Sequence, residues 1–132
     1  MTKKYFGIEI PFIEKMGFEA EKISDDLVEV TIEIQPWQTN SFAVSHGGVM
    51  MTLLDFTMAM AAKVKMNHDG AAMTIDMSTS FMKAAKGKVK AHGKVLKSGK
   101  AIQFCEATAY DESGDILAKS MGTFRLIEAK PL

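Results

Sequence analysis

Residues 46–62 read His46-Gly47-Gly48-Val49-Met50-Met51-Thr52-Leu53-Leu54-Asp55-Phe56-Thr57-Met58-Ala59-Met60-Ala61-Ala62. From Val49 to Ala62, eleven of fourteen residues are apolar, and the exceptions are Thr52, Asp55 and Thr57. Length and composition predict one long helix, apolar nearly all round and therefore buried. Asp55 does not fit, because a carboxylate in an apolar helix is costly to bury unless it is paired or neutralised. Gly48, Thr52, Asp55, Ala59 and Ala62 fall on one stripe at i+3/i+4 steps, small or polar throughout. Such a stripe allows close packing against another backbone, or leaves room for a ligand to approach Asp55. Burial would raise the pKa of that acid, and hydrogen bonding would lower it. The plainer alternative is an Asp55 that faces water or caps a neighbouring backbone.

Outward from this stretch, the pattern is that of strands. Val28-Glu29-Val30-Thr31-Ile32-Glu33-Ile34 alternates without a break, and Pro36 ends it. A loop from Gln35 to Ser45 leads to the glycine pair. After Asn67-His68-Asp69-Gly70, Ile75, Met77, Thr79 and Phe81 share one face, with Thr74, Asp76, Ser78 and Ser80 on the other. Val89 to Val95, Ala101 to Tyr110 and Ile116 to Ile127 follow, joined by turns at Lys97-Ser98-Gly99-Lys100 and Asp111–Asp115. The short connections predict a four-stranded antiparallel meander. Pro11 and Gly17 bracket a short helix. The sum is an α+β domain over 1–132, with five or six strands against one central helix. The third strand carries Phe104 and Tyr110 on one face and small Ala101, Cys105, Ala107 and Ala109 on the other. With few charges on either face, it suggests burial against a partner.

Composition limits the function. Sixteen Lys plus Arg balance sixteen Asp plus Glu, which argues against nucleic-acid binding. One cysteine, Cys105, fits a reducing, cytoplasmic setting and excludes a multi-Cys metal site. Val49–Ala62 is short for a membrane span and carries an acid, and the N-terminus has no signal-peptide apolar run. No His, Cys or carboxylate cluster has metal-ligand spacing. His46, His68 and His92 have no context for a serine nucleophile, and Cys105 sits mid-strand as a small buried thiol.

His46-Gly47-Gly48 opens the helix. Backbone N–H groups at a helix start, unshielded by side chains, can hold a developing negative charge. Read alone, the pair only makes a tight turn, and His46 only braces it. Asn40, His46-Gly47-Gly48 and Asp55 at these spacings together resemble the hotdog-fold acyl-CoA thioesterases of the phenylacetate-pathway (PaaI-like) type. Thr74-Ile75-Asp76-Met77-Ser78-Thr79-Ser80-Phe81-Met82-Lys83-Ala84-Ala85-Lys86-Gly87 and the early Pro11-Phe12 with Met16-Gly17 carry the likeness over most of the chain.

The resemblance implies a long helix wrapped by a curved antiparallel sheet, in a homodimer or homotetramer with sites between subunits. It implies Asp55 as catalytic nucleophile or general base, the Gly47 N–H as oxyanion donor and Asn40 reaching in from the other subunit. Thr74 would orient water, His46 and Gly48 would belong to the substrate-binding loop with His46 as its brace, and Lys83 and Lys86 would bind substrate by meeting coenzyme A phosphates. No cofactor is implied beyond coenzyme A as part of the substrate. Ser41 stands where many relatives have Gly, and Ala84 where they have Pro. Eleven methionines suggest an adaptable pocket for aromatic or medium-chain acyl groups. Two alternatives share the fold: an acyl-CoA-binding or sensing protein without turnover, and an enoyl-thioester hydratase, which would need a His beside Asp55.

Overall fold

The chain runs through α1 (Pro11–Met16), β1 (Glu19–Ser24), β2 (Leu27–Glu33), a 3-10 turn at Pro36–Gln38, α2 (Gly47–Lys65), β3 (Ala71–Phe81), β4 (Lys88–Ser98), β5 (Ile102–Tyr110) and β6 (Ile116–Ile127). This computed structural model describes residues 3–128 and Lys130. Met1, Thr2, Ala129, Pro131 and Leu132, which the expected 1–132 domain includes, lie outside the described residues. Pro11 opens α1, and Gly17 closes it in the left-handed region at φ 83°, as the punctuation predicts. β1 was not anticipated. Its residues are almost all exposed, and an edge strand with no buried face leaves no apolar alternation to read.

The six strands form one antiparallel sheet in the order β1-β2-β4-β5-β6-β3. The expected four-strand meander is therefore corrected. β4, β5 and β6 do form one, but β3 pairs with β6 rather than β4. Three strand spacings separate β3 from β4, about 14 Å, which the six-residue segment 82–87 can span at about 3.3 Å per residue. That crossover is pinned: the Met82 and Lys83 amides donate to the Leu117 carbonyl, Ser45 to Ala85, and Ile34 to Gly87. A short connection thus misleads when its backbone groups are paired with segments distant in sequence.

A second correction positions the site. Strict alternation puts Thr74 with Asp76, Ser78 and Ser80, but the register of β3 on β6 slips between Thr74 and Asp76. Thr74 lies opposite the fully buried Phe124, and Asp76 opposite Thr123. The bulge at Ile75 absorbs one residue and turns Thr74 to the helix side of the sheet.

α2 lies across the concave face. It is longer than the stretch 49–62, with nineteen residues. By length and composition alone it would cross a membrane, but its Leu53, Leu54, Met58 and Ala62 are sealed against Val30, Ala91, Ala107 and Phe124. Gly93 allows the close approach, since a Cβ there would meet the Thr57 carbonyl at 2.8 Å. Facing it in register, Ala107 is 1% exposed, so the small face of β5 is spent on the chain's own helix. Lys63, also buried, closes the far end of α2 by donating from Nζ to the His68 and Gly70 carbonyls at 2.7 and 2.6 Å. One long helix held in a wrapped antiparallel sheet is the hotdog fold.

Candidate active site

The expected site residues gather in two places on α2. The first is mid-helix. Asp55 is half-buried, and its Oδ1 accepts a hydrogen bond of 2.5 Å from the Thr74 hydroxyl. Burial pushes the Asp55 carboxyl above the ordinary range, and the Thr74 bond pulls part of the way back. The carboxylate opens on a cleft of about 820 Å³ lined by Thr52, Phe56, Ala59, Ala72, Thr74 and Ile10 among others. Asp55 thus faces this open cleft, and its side chain caps no backbone among the described residues. Its second oxygen has no protein partner among the described residues and is available to a water or to an acyl carbon.

The second place is the helix start. His46 is the N-cap, and its Nδ1 accepts from the Gly48 N–H at 2.8 Å. The His46 amide is tied to the Gln38 carbonyl, and the buried Gln38 side chain donates to the Met16 carbonyl. His46 therefore braces the loop, and the Gly48 amide is used up. The Gly47 N–H has no acceptor among the described residues. It is the open donor at the positive end of the helix. Asn40 accepts from the Phe42 and Val44 amides through Oδ1. That holds the loop across Ser41 and leaves Nδ2 without an acceptor among the described residues.

Of the two lysines, Lys83 is held by Asp111 and Asp115 at 2.7 Å each, and both carboxylates drive its pKa up. Its charge is already matched. Lys86 is exposed and has no ion pair among the described residues. Cys105 is 1% exposed, with its thiol pushed up to about 12 by burial, so it makes no thiolate nucleophile. No histidine touches Asp55: His92 pairs with Glu29 at 2.9 Å, and His68 accepts from the Gly70 amide. A larger groove of about 970 Å³ runs over Thr31, Lys90 and Tyr110. It contains none of the expected catalytic residues. Reading the sequence missed the strap of residues 5–12 that walls the Asp55 cleft. Only the turn at Phe6-Gly7, with φ of 50° and 92°, could have signalled it.

The described residues thus carry a half-buried acid with a hydroxyl partner and an open helix-start amide on a hotdog scaffold. The family model of the thioesterase superfamily matches residues 42–118, and the chain belongs to that superfamily. The chain is 27% identical to the proofreading thioesterase EntH of Cronobacter turicensis over 77% of this chain and 75% of that protein. In fold it is similar to a conserved protein of Pseudomonas aeruginosa (TM-score 0.85, 25% identity, 92% of this chain and 97% of that one). It is also similar to the Escherichia coli PaaI protein of the phenylacetic acid degradation operon (TM-score 0.78, 18% identity, 90% and 86%). Thioester hydrolysis is the reaction class that the superfamily supports.

Proposed function

We propose that the protein is an acyl-CoA thioesterase whose active sites are each assembled from two copies of the chain. One observation carries this reading. Gly47 and Asp55 are eight residues apart on one helix, hence about 12 Å along its axis. An oxyanion donor must come within about 3 Å of the carbonyl oxygen, and the attacking group must reach the adjoining carbon. One copy of α2 cannot do both, so one copy supplies Asp55 and the other Gly47.

Strand β3 favours the pairing. It is an edge of the sheet, eleven residues long, with Met73, Ile75 and Phe81 exposed. A long apolar edge is a template for another strand. Thr74 marks Asp55, and the Phe81 ring lies nearest to Gly47. A two-fold axis near Met77 and Ser78 would set Thr74 of one copy against Phe81 of the other, and would carry each Gly47 toward the other copy's Asp55.

In the reaction, ionised Asp55 takes a proton from water as the water oxygen bonds to the carbonyl carbon, or bonds to that carbon itself, in which case a water afterwards cleaves the resulting acyl-Asp55 anhydride to free acid and restores the carboxylate. The carbonyl π electrons move to oxygen, where the Gly47 N–H of the second copy holds the charge. Collapse breaks the C–S bond, and the coenzyme A sulfur leaves as thiolate and takes up a proton. Thr74 fixes the carboxylate, Asn40 of the second copy orients substrate or water through Nδ2, and Lys86 meets a coenzyme A phosphate. No other cofactor is needed, and a reducing cytoplasmic setting belongs to the same reading. The absence of a histidine beside Asp55 favours hydrolysis over hydration. Thiol release from phenylacetyl-, benzoyl- and straight-chain CoA thioesters tests it. Release that Asp55→Asn abolishes is expected. Tight binding with no release would overturn the reading in favour of a sensor.

A further inference from the structure

The crossover between β3 and β4 reads Met82-Lys83-Ala84-Ala85-Lys86-Gly87. It holds no proline to stiffen it, and Lys83 and Lys86 are its two polar side chains. The segment runs beside the start of α2. Just before it, the Phe81 ring lies 3.8 Å from where a Cβ on Gly47 would stand. Further on, the Ala85 carbonyl accepts from the Ser45 amide at 2.8 Å, and Ala85 is buried. Ser45, His46 and Gly47 are consecutive, so the lie of this segment helps to set the place of the Gly47 amide.

Lys83 sits midway between those two contacts. Its amide donates to the Leu117 carbonyl, and its Nζ reaches Asp111 and Asp115 at 2.7 Å each. The first of these carboxylates is itself held. Asp111 Oδ1 accepts from the Ser113 and Asp115 amides at 2.9 Å each, which folds the β5–β6 turn around it and leaves its side chain 17% exposed. Lys83 therefore fastens the crossover to a turn that is fixed by its own hydrogen bonds. A lysine matched by two carboxylates has little attraction left for a phosphate, whose charge has the same sign as theirs.

We propose that Lys83 is a positioning residue: its bridge to Asp111 and Asp115 fixes the crossover, and through Ala85 and Phe81 the turn Ser45-His46-Gly47, so that the Gly47 N–H meets the thioester oxygen. This rests on the thioesterase reading above. Oxyanion donors work over a narrow range, about 2.7–3.1 Å, and a displacement of about 1 Å costs about 100-fold in rate. A loosened crossover therefore shows in kcat before it shows in stability, since exposed ion pairs contribute little to folding.

The test uses the best of the CoA thioesters above and the same acyl group on pantetheine, which has the thioester but no phosphate. Lys83→Met, Lys83→Arg and Asp115→Asn are assayed beside the wild type, with a melting curve for each. Lys83→Met is expected to lower kcat roughly 10- to 100-fold on both esters alike, with KM for the CoA ester and the melting temperature close to wild type. Lys83→Arg, whose guanidinium can bridge both carboxylates, is expected to keep most of kcat. Asp115→Asn is expected to lower kcat by a smaller factor. A loss on the CoA ester that is absent on the pantetheine ester would overturn the proposal and make Lys83 a phosphate ligand. So would a CoA-ester KM that falls in Asp115→Asn, the sign of a lysine released for a phosphate. A kcat that is unchanged, or that falls only as far as the melting temperature does, also overturns it. If Lys83→Met fails to fold, Asp115→Asn decides by the same readings. Asp55→Asn is assayed alongside. Full activity there sinks the thioesterase reading, whereas an inactive Asp55→Asn beside a fully active Lys83→Met sinks the Lys83 proposal alone.

Discussion

The middle and the start of α2 hold their functional groups by opposite means. Asp55 is a side chain whose proton affinity is raised by burial and trimmed by one hydroxyl from a bulged strand. Gly47 contributes no side chain. Its amide is left open because a first-turn amide has no partner within the helix and the His46 side chain takes the Gly48 amide instead, while a chain of hydrogen bonds through Gln38 fixes that loop. The acid thus depends on desolvation and the amide on backbone geometry. The two respond to different changes.

Replacing the acid has the largest effect. Asp55→Asn should lower kcat about 100- to 10,000-fold. It should not lower the melting temperature at pH 7, because a neutral group replaces an ion that the fold disfavours. Turnover and a melting curve on one preparation check both halves.

Deleting the amide comes next. Gly47→Pro removes the N–H, and proline suits the first position of a helix. The preceding residue is already compatible, with His46 at φ −61°, ψ 140°. Activity should fall about 100- to 1000-fold with the fold retained. Gly47→Ala, whose Cβ would meet nothing closer than the Phe81 ring at 3.8 Å, should keep most of it. Equal losses in the two variants would mean that the amide is not the donor.

The hydroxyl sharpens the contrast. Because burial raises the Asp55 pKa, activity should rise with pH along an acid limb above the ordinary aspartate value of about 4. The stability sign is opposite. The folded state holds that proton more tightly, so ionising Asp55 opposes folding. Its contribution to stability is present at low pH and declines as pH climbs through the raised pKa. Thr74→Val removes the bond that lowers the pKa, so the limb should shift to still higher pH. Thr74→Ser should restore it. A pH profile that ignores both variants would separate Thr74 from the acid.

The smallest effect belongs to the brace. His46→Ala frees the Gly48 amide and should cost about 1 kcal/mol of stability, read as a modest fall in melting temperature. Activity should drop only as far as the loop loosens.

Much of this was legible in the chain. The apolar run, the misfit acid and the glycine pair mark out α2 and the two places on it where the candidate site residues gather. The bulge at Ile75 was not legible, since nothing local distinguishes Ile75 from its alternating neighbours. Its position follows from the pairing with β6. The crossover after β3 was hidden for the same reason, because its partners are distant in sequence. Edge strand β1 and the strap left little signal, as neither buries a regular apolar face. Lys83 looked free to meet a phosphate, but the Asp111 and Asp115 that neutralise it come from a turn whose approach only the fold reveals.

Mixing two disabled chains goes straight to the shared site. Asp55→Asn and Gly47→Pro copies, each inactive, are unfolded together, refolded and assayed. If every site takes its acid from one chain and its amide from the other, half of the dimers are mixed and each has one intact site. About a quarter of wild-type activity should then return, by the symmetry of a two-fold pair. A mixture no more active than its two components would contradict the assembly of the site from two copies.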